Sequence, residues 1–239
     1  DGTFFNSASV EERNIVISLT INGDIEANRQ KLYRIFPRKT ACTVYFKNAN
    51  RDVKIKGYVE TIECDPFVMR EKAQISIICP RPYFEDLATI YAELAATLAM
   101  FEFPFAIEED NPIPFSEATD YPIAEIMNEG DAEAGCIISI EVNDTIQGIK
   151  IINTSTQQFF YLDSAFVDHD KITISTISGQ MGVTRERGGT KTNILNYVGA
   201  NSAWLRLAPG VNYFTYTIDD GDTEDVEITF EATTLYGGV

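Results

Sequence analysis

Only one histidine, His169, occurs in the 239 residues, with one tryptophan and four cysteines. So little imidazole leaves few ways to build a general base or a nitrogen-ligated metal site. The cysteines, Cys42, Cys64, Cys79 and Cys136, are too far apart for a zinc knuckle, whose ligands come in closely spaced pairs. Each lies in an apolar, strand-like run, and they read as buried free thiols of a protein made in a reducing cytosol. Basic residues are scarce as well: 19 Lys and Arg face 36 Asp and Glu, for a net charge of −17. Phosphate recognition needs clustered cations, so sequence-specific nucleic-acid binding is not expected, and anionic membrane surfaces would repel the chain. No apolar run approaches the roughly 18 residues of a spanning helix, so no membrane insertion is expected. The sequence opens Asp1-Gly2-Thr3 without Met and without a signal-peptide pattern, which reads as a processed or shortened N-terminus.

What the chain does have is 15 Phe and 11 Tyr within a hydrophobic content of 44%. Together with many β-branched residues, these suit half-buried pleated surfaces. Asn14–Ile21 alternates cleanly, with Ile15, Ile17, Leu19 and Ile21 on one face, as a half-buried strand requires. Asp24 is placed to cap a helix over 25–36 that Pro37 ends. Strands are expected at Ala41–Phe46, Asp52–Glu63 and Lys72–Cys79, with Gly57 marking a bulge or a close backbone approach. Cys79-Pro80-Arg81-Pro82 should end that sheet. The recurrence of Leu87, Ile90, Tyr91, Leu94 and Leu98 predicts a second helix near 85–100.

Glu108–Pro122, with three prolines and five carboxylates, reads as a linker, dividing the chain into domains 1–110 and 111–239. From Ile123 onward the pattern is β throughout: Cys136–Val142, Ile146–Ile152, Gln158–Leu162, Lys171–Thr176, Ala203–Leu207, Asn212–Ile218 and Asp225–Glu231. Turn residues separate most of these segments, as in an antiparallel sandwich. Arg185–Asn201 is polar and glycine-rich and reads as a longer loop. The expected fold is therefore mainly β with two short helices, in two β-sandwich-like domains.

Chemistry is hard to assemble from this sequence. His169 lies between Asp168 and Asp170 in a turn, and no Gly-x-Ser-x-Gly accompanies it, so a solvated turn histidine is the expectation. Glu108-Glu109-Asp110 and Asp219–Asp222 are acidic turns that lack the spacing of a calcium loop. Arg187–Thr192 lacks the phosphate-loop spacing and reads as a mobile loop or a subunit contact. Trp204 is the one aromatic residue singled out for sugar stacking, with core packing as its ordinary role. No catalytic residue, metal or cofactor is expected.

Several stretches, in order, resemble the distal tail protein (Dit) family of siphophages and related tail-like particles. They are Asp1-Gly2-Thr3-Phe4-Phe5; Glu12-Arg13-Asn14-Ile15; Gly23-Asp24 with Arg29 and Leu32-Tyr33; and Gly57-Tyr58-Val59-Glu60. Cys79-Pro80-Arg81-Pro82-Tyr83-Phe84, Phe101-Glu102-Phe103-Pro104-Phe105 and Asn128-Glu129-Gly130-Asp131 follow. Leu207-Ala208-Pro209-Gly210-Val211-Asn212 and Tyr236-Gly237-Gly238-Val239 complete the series.

The resemblance implies a non-enzymatic structural hub at the tail tip. An N-terminal ring domain, lacking its first strands here, would form a homo-hexamer around a DNA channel, and a galectin-like C-terminal sandwich would lie outside it. The implied partners are the tail tube protein, a tail-associated tip or lysin protein, and receptor-binding or baseplate proteins. The implied place is the virion tail tip, after synthesis in the bacterial cytoplasm. Tyr83, Phe84, Phe101, Phe103 and Phe105 are the candidate assembly-interface residues. Much of the acidic charge is expected on the channel side, where it would keep DNA from sticking. The alternative is a carbohydrate-binding module that uses Trp204.

Overall fold

In a computed structural model the described residues are 10–65, 71–94, 97–99, 116–118 and 122–239. The chain divides into two compact units, Asp1–Leu87 with Tyr236–Val239 and Ala88–Leu235. The expected linker, 108–122, lies almost wholly outside the described residues, as do Phe101, Phe103 and Phe105.

Unit 1 begins with β1 (Arg13–Thr20), α1 (Ile25–Ile35), β2 (Ala41–Lys47), β3 (Asp52–Cys64), β4 (Lys72–Cys79) and the start of β5 (Phe84–Leu94). β1 pairs with β4 and β4 with β3, all antiparallel. β3 is long enough for three neighbours: its first half pairs with β2, its second half with β4, and Val53 and Lys54 near its start pair with Asp86 and Glu85 of β5. Tyr58 faces both Ala41 and Ile78, so β2 and β4 flank β3 on opposite sides.

Val53, Ile55 and Val59 point inward from β3, and a bulge between Val59 and Thr61 then shifts the phase so that Ile62 also faces in. Gly57 lies between them because a β-carbon there would sit 2.7 Å from Ile77 and 2.8 Å from the Cys79 sulfur. Val53, Ile55, Val59, Ile62, Ile75, Ile77, Cys79 and Phe84 form the core. Each fully buried aliphatic contributes about 1.5–3 kcal/mol. α1 starts where Asp24 accepts a hydrogen bond from the Ala27 N–H (3.1 Å) and ends before Pro37. None of its residues is fully buried, and it leans on the core through half-buried Leu32, with Phe36 just beyond its end.

Residues 236–239 return to unit 1. Arg13 donates to the Gly237 carbonyl (2.7 Å), Arg51 donates to that of Gly238, and the Tyr236 hydroxyl donates to Asp86 (3.0 Å).

The second helix is not formed: 84–94 is β5, and among the described residues α1 is the one helix of more than a single turn. Leu87, Ile90, Tyr91 and Leu94 do satisfy helical spacing. However, Ile90, Ala92 and Leu94 also alternate with exposed Tyr91 and Glu93, and Thr89-Ile90-Tyr91 favours extended backbone. A sheet neighbour for β5 settles the ambiguity (the last strand, below). Leu98, the end of the supposed stripe, lies in β6 (Thr97–Ala99), which pairs with β7 (Ser116–Ala118).

Unit 2 contains β8 (Ala124–Asn128), β9 (Ala134–Val142), β10 (Ile146–Asn153), β11 (Gln158–Phe166) and β12 (Lys171–Ser175). β13 (Gly182–Arg187), β14 (Thr190–Asn193), β15 (Arg206–Leu207), β16 (Gly210–Asp220) and β17 (Val226–Tyr236, to Leu235 within the unit) follow. One sheet runs β5-β17-β9-β12-β13-β14 and the other β11-β10-β16-β8. Inward-facing Ile138, Ile140, Ile172, Ile174, Ile228 and Phe230 of the first meet Ile126, Ile149, Ile151, Phe160, Phe214 and Tyr216 of the second in one core.

The expected 185–201 loop is instead largely a hairpin. Gly188 (φ +56°) and Gly189 (φ +78°) supply the two positive-φ positions of its tight turn, which lets β13 and β14 pair.

Candidate assembly surface

Unit 1 leaves two strand edges without a strand partner among the described residues, one on β1 and one on β2. They are different surfaces. On the β2 side, cross-strand register sets Tyr45 opposite Lys54, Thr43 opposite Lys56 and Ala41 opposite Tyr58, so all six share one outward face. Tyr45 is 64% and Tyr58 51% exposed. Lys47 at the end of the strand is held by Asp52 (2.7 Å). On the β1 side a groove of 260 Å³ opens between the end of β1 and α1, lined by Leu19, Ile21, Asn28, Lys31, Leu32 and Ile35. Ile35 in its lining is exposed, as are Val16 of β1 and Ile25 and Tyr33 of α1. α1 is fixed there by Arg29, which donates to the buried carboxylate of Glu71 (2.8 Å). A hydrogen bond with Cys64 and partial burial push the Tyr33 phenol up from its ordinary value.

One edge is a tyrosine–lysine face and the other an aliphatic groove. A contact between these two unlike surfaces would be heterologous, the kind that builds rings or filaments rather than two-fold dimers.

Phe84 is 3% exposed and belongs to the unit 1 core, edge-on to Phe46 (5.2 Å) and under the Arg13 guanidinium (4.8 Å). What it supplies to the monomer is packing rather than an open surface. Tyr83 is half-buried. Trp204 is half-buried, with its ring 5.3 Å from that of Phe160 at the margin of the unit 2 core. The exposed tyrosines and the groove had no distinct signature in the sequence. Alternation marks Tyr45 and Tyr58 as outward-facing, but not as uncovered.

The groups weighed for chemistry are engaged structurally. His169 adopts a left-handed backbone (φ +68°) in an exposed turn, 2.6 Å from Asp168. Asp219 accepts from the Tyr161 hydroxyl (2.5 Å), which pushes that phenol up to about 12. Burial pushes the thiol of Cys136 up to about 11, even though Thr176 hydrogen-bonds to it. Among the described residues no group of His, Cys, Asp and Glu is arranged to hold a metal ion.

The charge is unevenly shared. Unit 1 carries 13 Lys and Arg against 12 Asp and Glu, and unit 2 carries 6 against 24. The whole acidic excess therefore falls in 88–235.

Residues 129–233 match the family described as siphovirus-type tail component, C-terminal domain. The chain shares its fold with the SPP1 Dit (gp 19.1) protein, described as a paradigm of the hub adsorption apparatus in phages infecting Gram-positive hosts. The TM-score is 0.66 at 14% identity, over 95% of this chain and 80% of that one. The phage P2 baseplate in its activated conformation with Ca aligns at a TM-score of 0.45 and 11% identity, over 95% and 80% of the two chains. No curated protein matches.

Proposed function

We propose that this chain is a distal tail protein, a structural hub at the tip of a siphophage tail or a related tail-like particle. The observation that carries this reading is the joint match. The C-terminal half fits a tail-component family, and the chain has a Dit fold over nearly its whole length. In this reading unit 1 closes into a homo-hexameric ring that continues the tail tube and leaves a channel for DNA. Unit 2 is a galectin-like sandwich that meets the baseplate, receptor-binding and tail-associated tip or lysin proteins. The protein is made in the host cytoplasm, ends in the virion tail tip, and works by docking rather than by turnover.

The two unlike edges of unit 1 support the ring, since head-to-tail use of unlike surfaces is what cyclic symmetry requires. The carbohydrate-binding alternative would rest on Trp204, which is half-buried and tilted against Phe160 (5.3 Å).

Native mass spectrometry of the chain should give six times its own mass, 26.7 kDa for the 239 residues. Negative-stain images should show rings with a central hole. A strict monomer across the micromolar range, in a protein that also fails to enter tails, would sink the proposal. Tyr45→Asp, which puts a charge on the exposed β2 face, should weaken the ring at least tenfold without changing the melting temperature of the monomer.

A further inference from the structure

Unit 2 has only six basic residues, and four of them, Lys171, Arg185, Arg187 and Lys191, lie on β12–β14. β14 pairs with β13 alone, and all four of its residues are exposed. The sheet therefore ends in a strand whose far edge has no strand partner among the described residues. Of the four cations, Lys171 is paired with Glu141 (2.6 Å), Lys191 with Glu186 (3.5 Å) and Arg187 with Asp170, which leaves the Arg185 guanidinium as the one to consider in a unit of net charge −18.

The two arginines of β13 share a face but differ in state. Arg187 is committed: its Nε donates to Asp170 (2.6 Å), and a second donor from its guanidinium completes a two-point fork on that buried carboxylate. Arg185, two positions earlier, has an Nε that is shut off from water and meets no acceptor. A buried charged donor left in this way costs more than the 1–3 kcal/mol or so of a neutral one, and such groups ordinarily have a partner. Register puts the Thr192 hydroxyl directly opposite Arg185 and that of Thr190 opposite Arg187. Both threonines are short and lie on the open strand.

We propose that the free edge of β14 is a docking strand for an extended acidic segment of a partner protein. The segment adds beside β14 through main-chain hydrogen bonds and sets a carboxylate on Arg185 and Thr192. An added strand would lie two strand spacings from β13, about 10 Å, which an arginine and a glutamate side chain bridge over an intervening threonine. Strand addition supplies affinity, and the guanidinium selects the acidic side chain. Arg185 alone favours an acidic side chain here, since Lys171, Arg187 and Lys191 are paired within the chain, and the acidic remainder of unit 2 repels anions that lack the strand contact.

The test uses the full chain and a fluorescent octapeptide of alternating Thr and Glu, read by anisotropy and by amide hydrogen exchange. The expected result is saturable binding with new protection on Thr190–Asn193. Binding should be at least tenfold weaker for the Thr-Gln peptide and for Arg185→Gln. Arg185→Lys, which keeps the charge but not the guanidinium, should fall between the unaltered protein and Arg185→Gln. The peptide comparison on unaltered protein decides the matter if Arg185→Gln does not fold. Equal binding of the Glu and Gln peptides, protection elsewhere than β14, or tighter binding of a polyuronate than of the Glu peptide would each overturn the proposal. None of these outcomes depends on whether the chain forms rings.

Discussion

At the scale of single residues, the Asp170 carboxylate is the most consequential buried charge in unit 2. It is fully buried, and it accepts from Arg187 and from the Val167 backbone N–H. Burial alone would raise its pKa, but those hydrogen bonds prevail and hold it below the usual carboxylate range. A group with a depressed native pKa stabilises the fold above its unfolded value, near 4, and that contribution is lost as pH falls through the native value. Arg187→Ala leaves the carboxylate buried without its fork. Urea unfolding should show a loss of roughly 2 kcal/mol at pH 7, the low end for such pairs because Arg187 itself is partly exposed. Burial then dominates, Asp170 protonates more readily, and the gap to the unaltered protein should narrow by pH 3.5. An equal loss at both pH values would contradict this account.

Cys136 gives a second test at this scale. With its pKa pushed up to about 11, it should stay silent towards a thiol reagent at pH 8 in the native state and react on unfolding.

At the scale of elements, α1 is lightly held, with no fully buried residue and a single side-chain cap. Asp24→Ala should lower the stability of unit 1 by about 1 kcal/mol in a denaturant melt and leave unit 2 unchanged. This helix was legible in the sequence because Asp24 and Pro37 bound it. The strands were legible for a related reason. Ile15, Ile17 and Leu19, or Ile138 and Ile140, repeat every second residue, and in strands with one wet face that period has a single reading. The 84–94 segment was not legible because its apolar residues satisfy both periods, and what resolves them is a sheet neighbour far away in the chain. The hairpin at Gly188-Gly189 was missed on composition: polar residues flank it because its strands overhang the core, yet the paired glycines were a usable turn signal. The assembly surface was the least legible part. Whether Tyr45 or Phe84 is uncovered depends on tertiary packing: of the aromatic residues chosen from the sequence, Phe84 lies in the core, Tyr83 is half-buried, and Phe101, Phe103 and Phe105 lie outside the described residues.

At the scale of the whole molecule, the net acidic charge is confined to one unit. The near-neutral unit 1 carries the unlike edges, and the strongly acidic unit 2 carries the open β14 edge. If the ring closes through unit 1 apolar contacts, its mass should persist in 0.5 M NaCl, because salt screens exposed charge but not apolar burial. Dissociation at that ionic strength would place the contact on charged surfaces instead.

The sequence of unit 2 is also threaded between the two pieces of unit 1, so that Arg13 meets Gly237 across 224 positions. During translation, residues 1–87 leave the ribosome long before their closing segment exists. Stalled nascent chains ending near 220 should therefore lose residues 1–87 to protease more readily than released chains do. The part that would join neighbouring subunits is completed last, and a growing chain has little occasion to capture another before its own sandwich has been made.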